Sequence, residues 1–147
     1  MRIERTITID RPTDAVFAVL ADYSRDTVWR AGVTEMTASP PGPAQVGTRT
    51  HEVLRFLGST YVTDAAVTAY EPGSELAFRG TGSAGEVAGI RAVEPAGPRT
   101  RVRWRIDVRM PALRRLGAPL MAPIMARRLD ADLRRLRALL ETAPKAA

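Results

Sequence analysis

The chain begins with a short alternating segment followed by two segments of helical periodicity. Over residues 3–9 apolar residues recur at alternate positions, interrupted at Arg5, which predicts a strand. Residues 12–20 and 22–32 then carry apolar residues at helical spacing and predict two short helices. A strand followed by two short helices is therefore the predicted beginning of the fold.

From residue 33 onward the pattern changes to alternating segments separated by Gly- and Pro-rich turns. The predicted strands are residues 33–39, 46–57, 60–70, 75–79, 86–94 and 100–110. The last has the clearest alternation, because Val102, Trp104 and Ile106 share one face while arginines occupy much of the other. Since most of the connections are short, consecutive strands should pair antiparallel.

Beyond Pro111 the apolar residues fall three or four apart, which predicts a long amphipathic helix. Its apolar stripe comprises Leu113, Leu116, Leu120, Ile124, Leu129, Leu133, Leu136 and Leu140. We expect this stripe to cover the concave face of the sheet, the only large apolar surface available. Pro119 and Pro123 should kink or break the helix. We expect one domain over residues 1–143 and a frayed tail over residues 144–147.

Composition limits the partners and the location of the protein. A length of 147 residues suits one domain, and the absence of cysteine excludes disulfides and thiolate metal sites. The sequence opens on a strand pattern and has no long apolar stretch, so we expect a cytoplasmic protein. The net charge of +6 raises nucleic-acid binding, but the basic residues are dispersed and aromatics make up only 5% of the chain. We therefore expect no nucleic-acid partner.

Several local motifs accompany this order of elements. They are residues 9–12, 16–17, 20–22, 46–48, 67–73 and 100–104, together with Trp29. In these motifs the chain resembles the START-related, polyketide cyclase/dehydrase-like (SRPBCC) superfamily, although Arg99 stands where that family usually has Gly. The resemblance implies an α+β helix-grip fold, in which a curved antiparallel sheet of six to seven strands wraps around the long C-terminal helix. It also implies a cavity for an apolar or aromatic molecule, no cofactor, and no catalytic residue that can be carried over.

Two charged residues fall on inward faces of the predicted strands. In the strand over residues 46–57, Glu52 shares its face with Leu54, which places His51 on the outside unless a bulge changes the register. A buried Glu needs a partner, lies near the cavity mouth, or has a raised pKa and moves protons. Arg91 is the candidate inward cation, able to pair with Glu52 or to polarise a ligand carbonyl.

Other candidate ligand contacts are aromatic or sulfur-containing. Trp29, Tyr61, Met121 and Met125 are expected near the ligand. Trp29 suits the core as well as the cavity wall, and methionine adapts either to an irregular core or to a pocket wall, so helical spacing alone does not distinguish the two. The pattern leaves the facing of Tyr61 and Arg79 open. The sequence indicates no metal site.

Two further motifs carry alternative interpretations. Residues 80–85 match the spacing of a dinucleotide-binding glycine loop, but a strand pattern follows them, so we interpret them as a hairpin loop able to form a lip over the cavity mouth. The arginine pairs of the C-terminal helix are interpreted as a solvated face, with a membrane-surface helix as the alternative.

Three hypotheses of function follow. The first is a binding protein for a hydrophobic small molecule. The second is a cofactor-free cyclase, aromatase or dehydratase in which Glu52 or Tyr61 handles a proton and Arg91 stabilises an enolate. The third is an interaction protein that contacts a membrane or a partner through its Arg-rich helix. The sequence is compatible with a monomer or a homodimer.

Overall fold

The computed structural model describes residues 1–144 and follows the predicted order of elements. The N-terminal part consists of β1 (Arg2–Ile9), α1 (Thr13–Leu20), a 3₁₀ turn (Tyr23–Arg25) and α2 (Asp26–Trp29). The next six strands are β2 (Val33–Ser39), β3 (Arg49–Phe56), β4 (Ser59–Glu71), β5 (Glu75–Gly82), β6 (Gly85–Ala96) and β7 (Arg99–Arg109). The chain continues into α3 (Ala112–Arg115) and α4 (Ala118–Thr142).

All seven strands form one antiparallel sheet in the order β1-β7-β6-β5-β4-β3-β2. Consecutive strands from β2 to β7 are neighbours, and β1 joins the sheet beside β7. Register shifts interrupt the ladders between Val33 and Glu35 in β2 and between Val67 and Ala69 in β4. Such bulges bend and twist a strand locally. The curved sheet and the long C-terminal helix form a helix-grip fold, as predicted.

Helix α4 closes the sheet with only the C-terminal half of the predicted apolar stripe. Its buried apolar residues are Ala126, Leu129, Leu133, Leu136 and Leu140, and the helix lies against β1 and α2. The earlier stripe residues contradict the prediction, because Leu113, Leu116 and Leu120 are 87%, 83% and 78% exposed. In the first turns of α4, Met121 and Met125 line the space under the helix, whereas Leu116 and Leu120 do not.

The prolines have less effect on the helix than the sequence predicted. The break between α3 and α4 falls at Leu116 and Gly117, ahead of Pro119. Pro119 occupies the first turn of α4, where a backbone N–H has no intrahelical partner, and Pro123 lies inside the helix. Of the predicted frayed tail, only Pro144 belongs to the described part of the chain. Among residues 1–144, no helix has the length and apolar character needed to span a bilayer.

Candidate functional site

A cavity of about 670 Å³ lies between the sheet and the C-terminal helices. Its volume is within the range of small-molecule sites. The exposed end of the cavity, here called the mouth, is lined by Ser59, Thr60, Ser83, Leu113, Arg114 and Gly117. The buried end, here called the inner end, is lined by Tyr23, Arg30, Arg91 and Trp104. The cavity therefore runs from the surface to a charged interior.

The wall between the two ends is mainly apolar and rich in methionine. All five methionines of the sequence line the cavity, namely Met1, Met36, Met110, Met121 and Met125. Phe56, Phe78 and Ile106 add further apolar surface. Because methionine side chains are unbranched and flexible, such a wall adapts to ligands of different shape.

A buried aspartate organises the inner end. Asp26, the first residue of α2, is fully buried and accepts two hydrogen bonds from Arg91, from Nη1 at 3.0 Å and from Nη2 at 2.5 Å. Arg30, four residues later, donates from Nη1 to Asp26 Oδ2 at 3.0 Å and to Glu52 Oε2 at 2.6 Å. Although burial lowers the pKa of Arg30, the carboxylates of Glu52 and Asp26 raise it overall. The two arginines are thus held charged by two carboxylates.

Aromatic rings surround the two arginines. The Arg91 guanidinium lies 4.4 Å from the centre of the Tyr23 ring, and Arg30 lies 5.3 Å from that of Trp104. Trp29 packs edge-on against Trp104, with 5.4 Å between ring centres. Burial raises the pKa of Tyr23 to about 12, so its hydroxyl keeps its proton at physiological pH. Cation–π contacts of this kind stabilise a desolvated guanidinium.

A third arginine approaches the inner end from α4. Arg128 lines the cavity, and its guanidinium lies 5.6 Å from the centre of the Phe56 ring. Its nearest carboxylate is that of Asp132, where Arg128 Nη2 and Asp132 Oδ2 are 3.6 Å apart. Burial, together with Arg30, lowers the pKa of Arg128, while burial raises that of Asp132. Arg128 is therefore less fully neutralised than Arg30 and Arg91.

The structure places most of the sequence-predicted site residues on the cavity wall. Those that line it are Glu52, Tyr61, Arg91, Met121 and Met125. Trp29 does not line it, because the side chain is fully buried behind Trp104. Arg91 does not pair with Glu52, because Arg91 forms an ion pair with Asp26 and Glu52 forms one with Arg30.

The structure also gives the positions of the residues whose facing the sequence left open or predicted to be outward. Tyr61 faces the cavity, whereas Arg79 is exposed and does not line it. His51 lies outside the cavity, with Nδ1 2.7 Å from Asp64 Oδ1, and this contact raises the pKa of His51. The Gly80 to Gly85 segment forms the tip of the β5–β6 hairpin, and its turn borders the mouth.

Sequence reasoning missed four residues of the inner end. They are Tyr23, Asp26 as a buried partner, Arg30 and Arg128. The spacing of Asp26 and Arg30, four apart across a short helix, was the available signal for one ion pair. Within residues 1–144, no three His, Asp or Glu side chains are grouped so as to hold a metal ion.

Solved structures share this architecture. The protein TTHA0849 from Thermus thermophilus superposes with a TM-score of 0.82 at 17% identity, over 99% of this chain and 100% of that one. The ZhuI aromatase/cyclase from Streptomyces sp. R1128 gives a TM-score of 0.81 at 18% identity, over 96% and 93%. A START superfamily protein from Mycobacterium smegmatis gives 0.76 at 13% identity, over 95% and 97%. At these identities the likeness establishes the fold.

Sequence comparison identifies the family. The model of the polyketide cyclase/dehydrase and lipid transport family matches residues 1–141. The chain belongs to this family, and the resemblance seen in the sequence motifs is confirmed. Comparison with curated proteins gives no sequence match.

Proposed function

We propose that the protein binds a hydrophobic small molecule in the cavity between the sheet and α4. The observation that carries this proposal is the cavity of about 670 Å³ with its mainly apolar, methionine-rich wall. Burial of apolar surface contributes about 25 cal/mol per Å². A molecule that fills the cavity gains this free energy without displacing any core side chain. The family's description, which names lipid transport and polyketide cyclisation, supports the same class of ligand.

A titration with the neutral apolar dye N-phenyl-1-naphthylamine tests the proposal. We expect its fluorescence to rise on saturable binding, because the dye leaves water for an apolar cavity. Ala65 lines the cavity at the middle of β4, and Ala65→Trp places an indole in the space that the dye needs. This variant should weaken dye binding at least about tenfold, which corresponds to about 1.4 kcal/mol.

The adjacent alanine provides a matched control. Ala66 belongs to the same strand but points to the opposite face of the sheet, so Ala66→Trp adds the same side chain outside the cavity. Its dye affinity should equal that of the unmodified protein. Equal loss in both variants, or no saturable binding at all, would contradict a ligand site in the cavity.

The catalytic alternative receives less support from the geometry. Glu52 is engaged by Arg30, and Arg91 is engaged by Asp26 through two hydrogen bonds. Proton uptake by Glu52 would remove the negative charge that pairs with Arg30, and Arg91 has only Nε left to donate, because both of its Nη atoms donate to Asp26. The fold likeness to an aromatase/cyclase motivates the measurement of turnover, in which unchanged rates for Glu52→Gln and Arg91→Ala would exclude these roles.

Contact with an anionic membrane is a second candidate function, and the exposed leucines favour it. Leu113, Leu116 and Leu120 project from the helices that border the mouth. The neighbouring residues include Arg114 and Arg115, and residues 111–126 contain no acidic residue. Exposed leucines beside arginines are typical of a surface that inserts into anionic lipid. Such contact would place the mouth of the cavity at the bilayer.

Vesicle sedimentation at low salt tests the membrane contact. We expect binding to vesicles that contain phosphatidylglycerol, and loss of binding in a Leu116→Ser/Leu120→Ser variant. Val28→Ser is the control, since Val28 is 61% exposed but lies on α2. Absence of vesicle binding together with concentration-dependent dimerisation would assign the leucines to a second copy of the chain instead.

A further inference from the structure

The cavity-lining side chains contain more hydrogen-bond donors than they can satisfy. Five of their buried polar atoms have no hydrogen-bond partner within residues 1–144, and each carries a hydrogen to donate. These atoms are Tyr23 Oη, Arg30 Nε, Arg91 Nε, Trp104 Nε1 and Arg128 Nη2. Buried polar groups in proteins are almost always paired, so the side chains around the inner end hold an excess of unpaired donors.

Arg128 is the least neutralised cation of the group. Arg30 and Arg91 donate to carboxylates at hydrogen-bond distance. The 3.6 Å between Arg128 Nη2 and Asp132 Oδ2 is longer than a hydrogen bond. The Oδ1 atom of Asp132 accepts from Arg135 Nη1 at 3.0 Å and from the Ala31 amide at 3.3 Å, so the charge of Asp132 is shared between two arginines. Its Oδ2 atom, which faces Arg128, has no hydrogen-bond partner within residues 1–144.

The surroundings of Arg128 strengthen its interaction with an anion. Its side chain is only 10% exposed and lies beside Phe56 and Met125 on the cavity wall. An arginine stays ionised in such a place, and charge pairing is stronger in an apolar environment than in water. Burial, together with the positive charge of Arg30, lowers the pKa of Arg128, while Asp132 and Glu52 offset this lowering only in part.

We propose that Arg128 binds the carboxylate of an amphipathic ligand whose apolar body extends toward the mouth. This inference rests on the proposed function and names the class of ligand. The guanidinium fork matches a carboxylate in shape, and one under-neutralised cation matches one negative charge. Met125 and Met121, on the preceding turns of α4, also line the cavity and would flank the apolar body. Arg30 and Tyr23 contribute further donors at the inner end.

Displacement of N-phenyl-1-naphthylamine by decanoate and by decan-1-ol at neutral pH tests this inference. The two compounds share an apolar chain and differ in the charged group. We expect decanoate to displace the dye at a roughly tenfold lower concentration, a difference of about 1.4 kcal/mol. Arg128→Met should abolish the preference and leave displacement by decan-1-ol unchanged. Arg128→Lys, which keeps the charge, should retain a smaller preference.

Arg127 offers a matched control, because it is the exposed neighbour of Arg128 and does not line the cavity. Arg127→Met should keep the full preference for decanoate. Equal displacement by both compounds in the unmodified protein, or a preference that survives Arg128→Met, would overturn the carboxylate site while leaving the cavity function intact. Failure of the dye to bind would overturn the cavity function itself. The comparison in the unmodified protein decides the question even if Arg128→Met does not fold.

Discussion

Asp26 holds the inner end of the cavity together at the scale of single residues. Its carboxylate lies between Arg30 and Arg91, and all three side chains are at most 5% exposed. Removing a buried charge from such a group leaves its partners desolvated and unpaired, which costs far more than the loss of a surface ion pair. The buried ion pairs thus maintain the polar inner end of an otherwise apolar cavity.

Asp26→Asn is expected to lower the free energy of unfolding by about 3–5 kcal/mol, because both arginines lose a charged partner while remaining buried. Urea denaturation followed by circular dichroism measures the change. Asp64→Asn is the control, since Asp64 is 71% exposed and pairs only with His51 among the described residues. It should cost less than about 1 kcal/mol. Equal, small losses in both variants would show that the buried pairs contribute little.

Residue-scale prediction from the sequence was accurate about the facing of residues in β3 and inaccurate about ion pairing. Strand alternation placed Glu52 on the cavity side and His51 outside, because side chains in a strand alternate strictly. The partner of Arg91 is 65 residues away on α2, and no local pattern specifies such a contact. Trp29 was expected at the ligand, but composition cannot distinguish a ring on the cavity wall from one behind it.

At the scale of elements, α4 divides into two halves with different roles. The C-terminal half buries its leucines against the sheet, whereas the N-terminal half leaves Leu120 and its neighbours exposed and presents Met121 and Met125 to the cavity. Helical periodicity predicted one continuous stripe, because spacing reports the face of a helix and not what lies opposite it. The apolar stripe of α4 therefore stops packing against the sheet where the cavity lies between the helix and the sheet.

Two leucine-to-alanine substitutions distinguish the two halves of α4 by their effect on the free energy of unfolding. Leu133→Ala should cost about 2–5 kcal/mol, because Leu133 is 1% exposed and its removal leaves a void in the core. Leu120→Ala should change the free energy of unfolding by less than about 0.5 kcal/mol, since its side chain already contacts water. Thermal or urea unfolding gives both values. A large loss for Leu120→Ala would show that the N-terminal half packs in solution.

At the scale of the whole molecule, the order of elements was predictable and the cavity was not. Alternation, turn residues and helical spacing predicted strands β2 to β7 within a few residues of their observed limits, because each signal is local. A cavity is the volume that all packed elements together leave unfilled, so it has no local signature. Only the resemblance to a family implied it, and the structure supplies its volume and its lining.

The methyl NMR signals of the five methionines test the binding function most directly, because every methionine lines the cavity. Protein labelled with ¹³C-methyl methionine is titrated with N-phenyl-1-naphthylamine. Binding inside the cavity predicts saturable shifts that include Met36, which is 8% exposed, and Met125, and predicts their loss in Ala65→Trp but not in Ala66→Trp. Shifts confined to Met110 and Met121 near the mouth, or identical shifts in both variants, would contradict a ligand held between the sheet and α4.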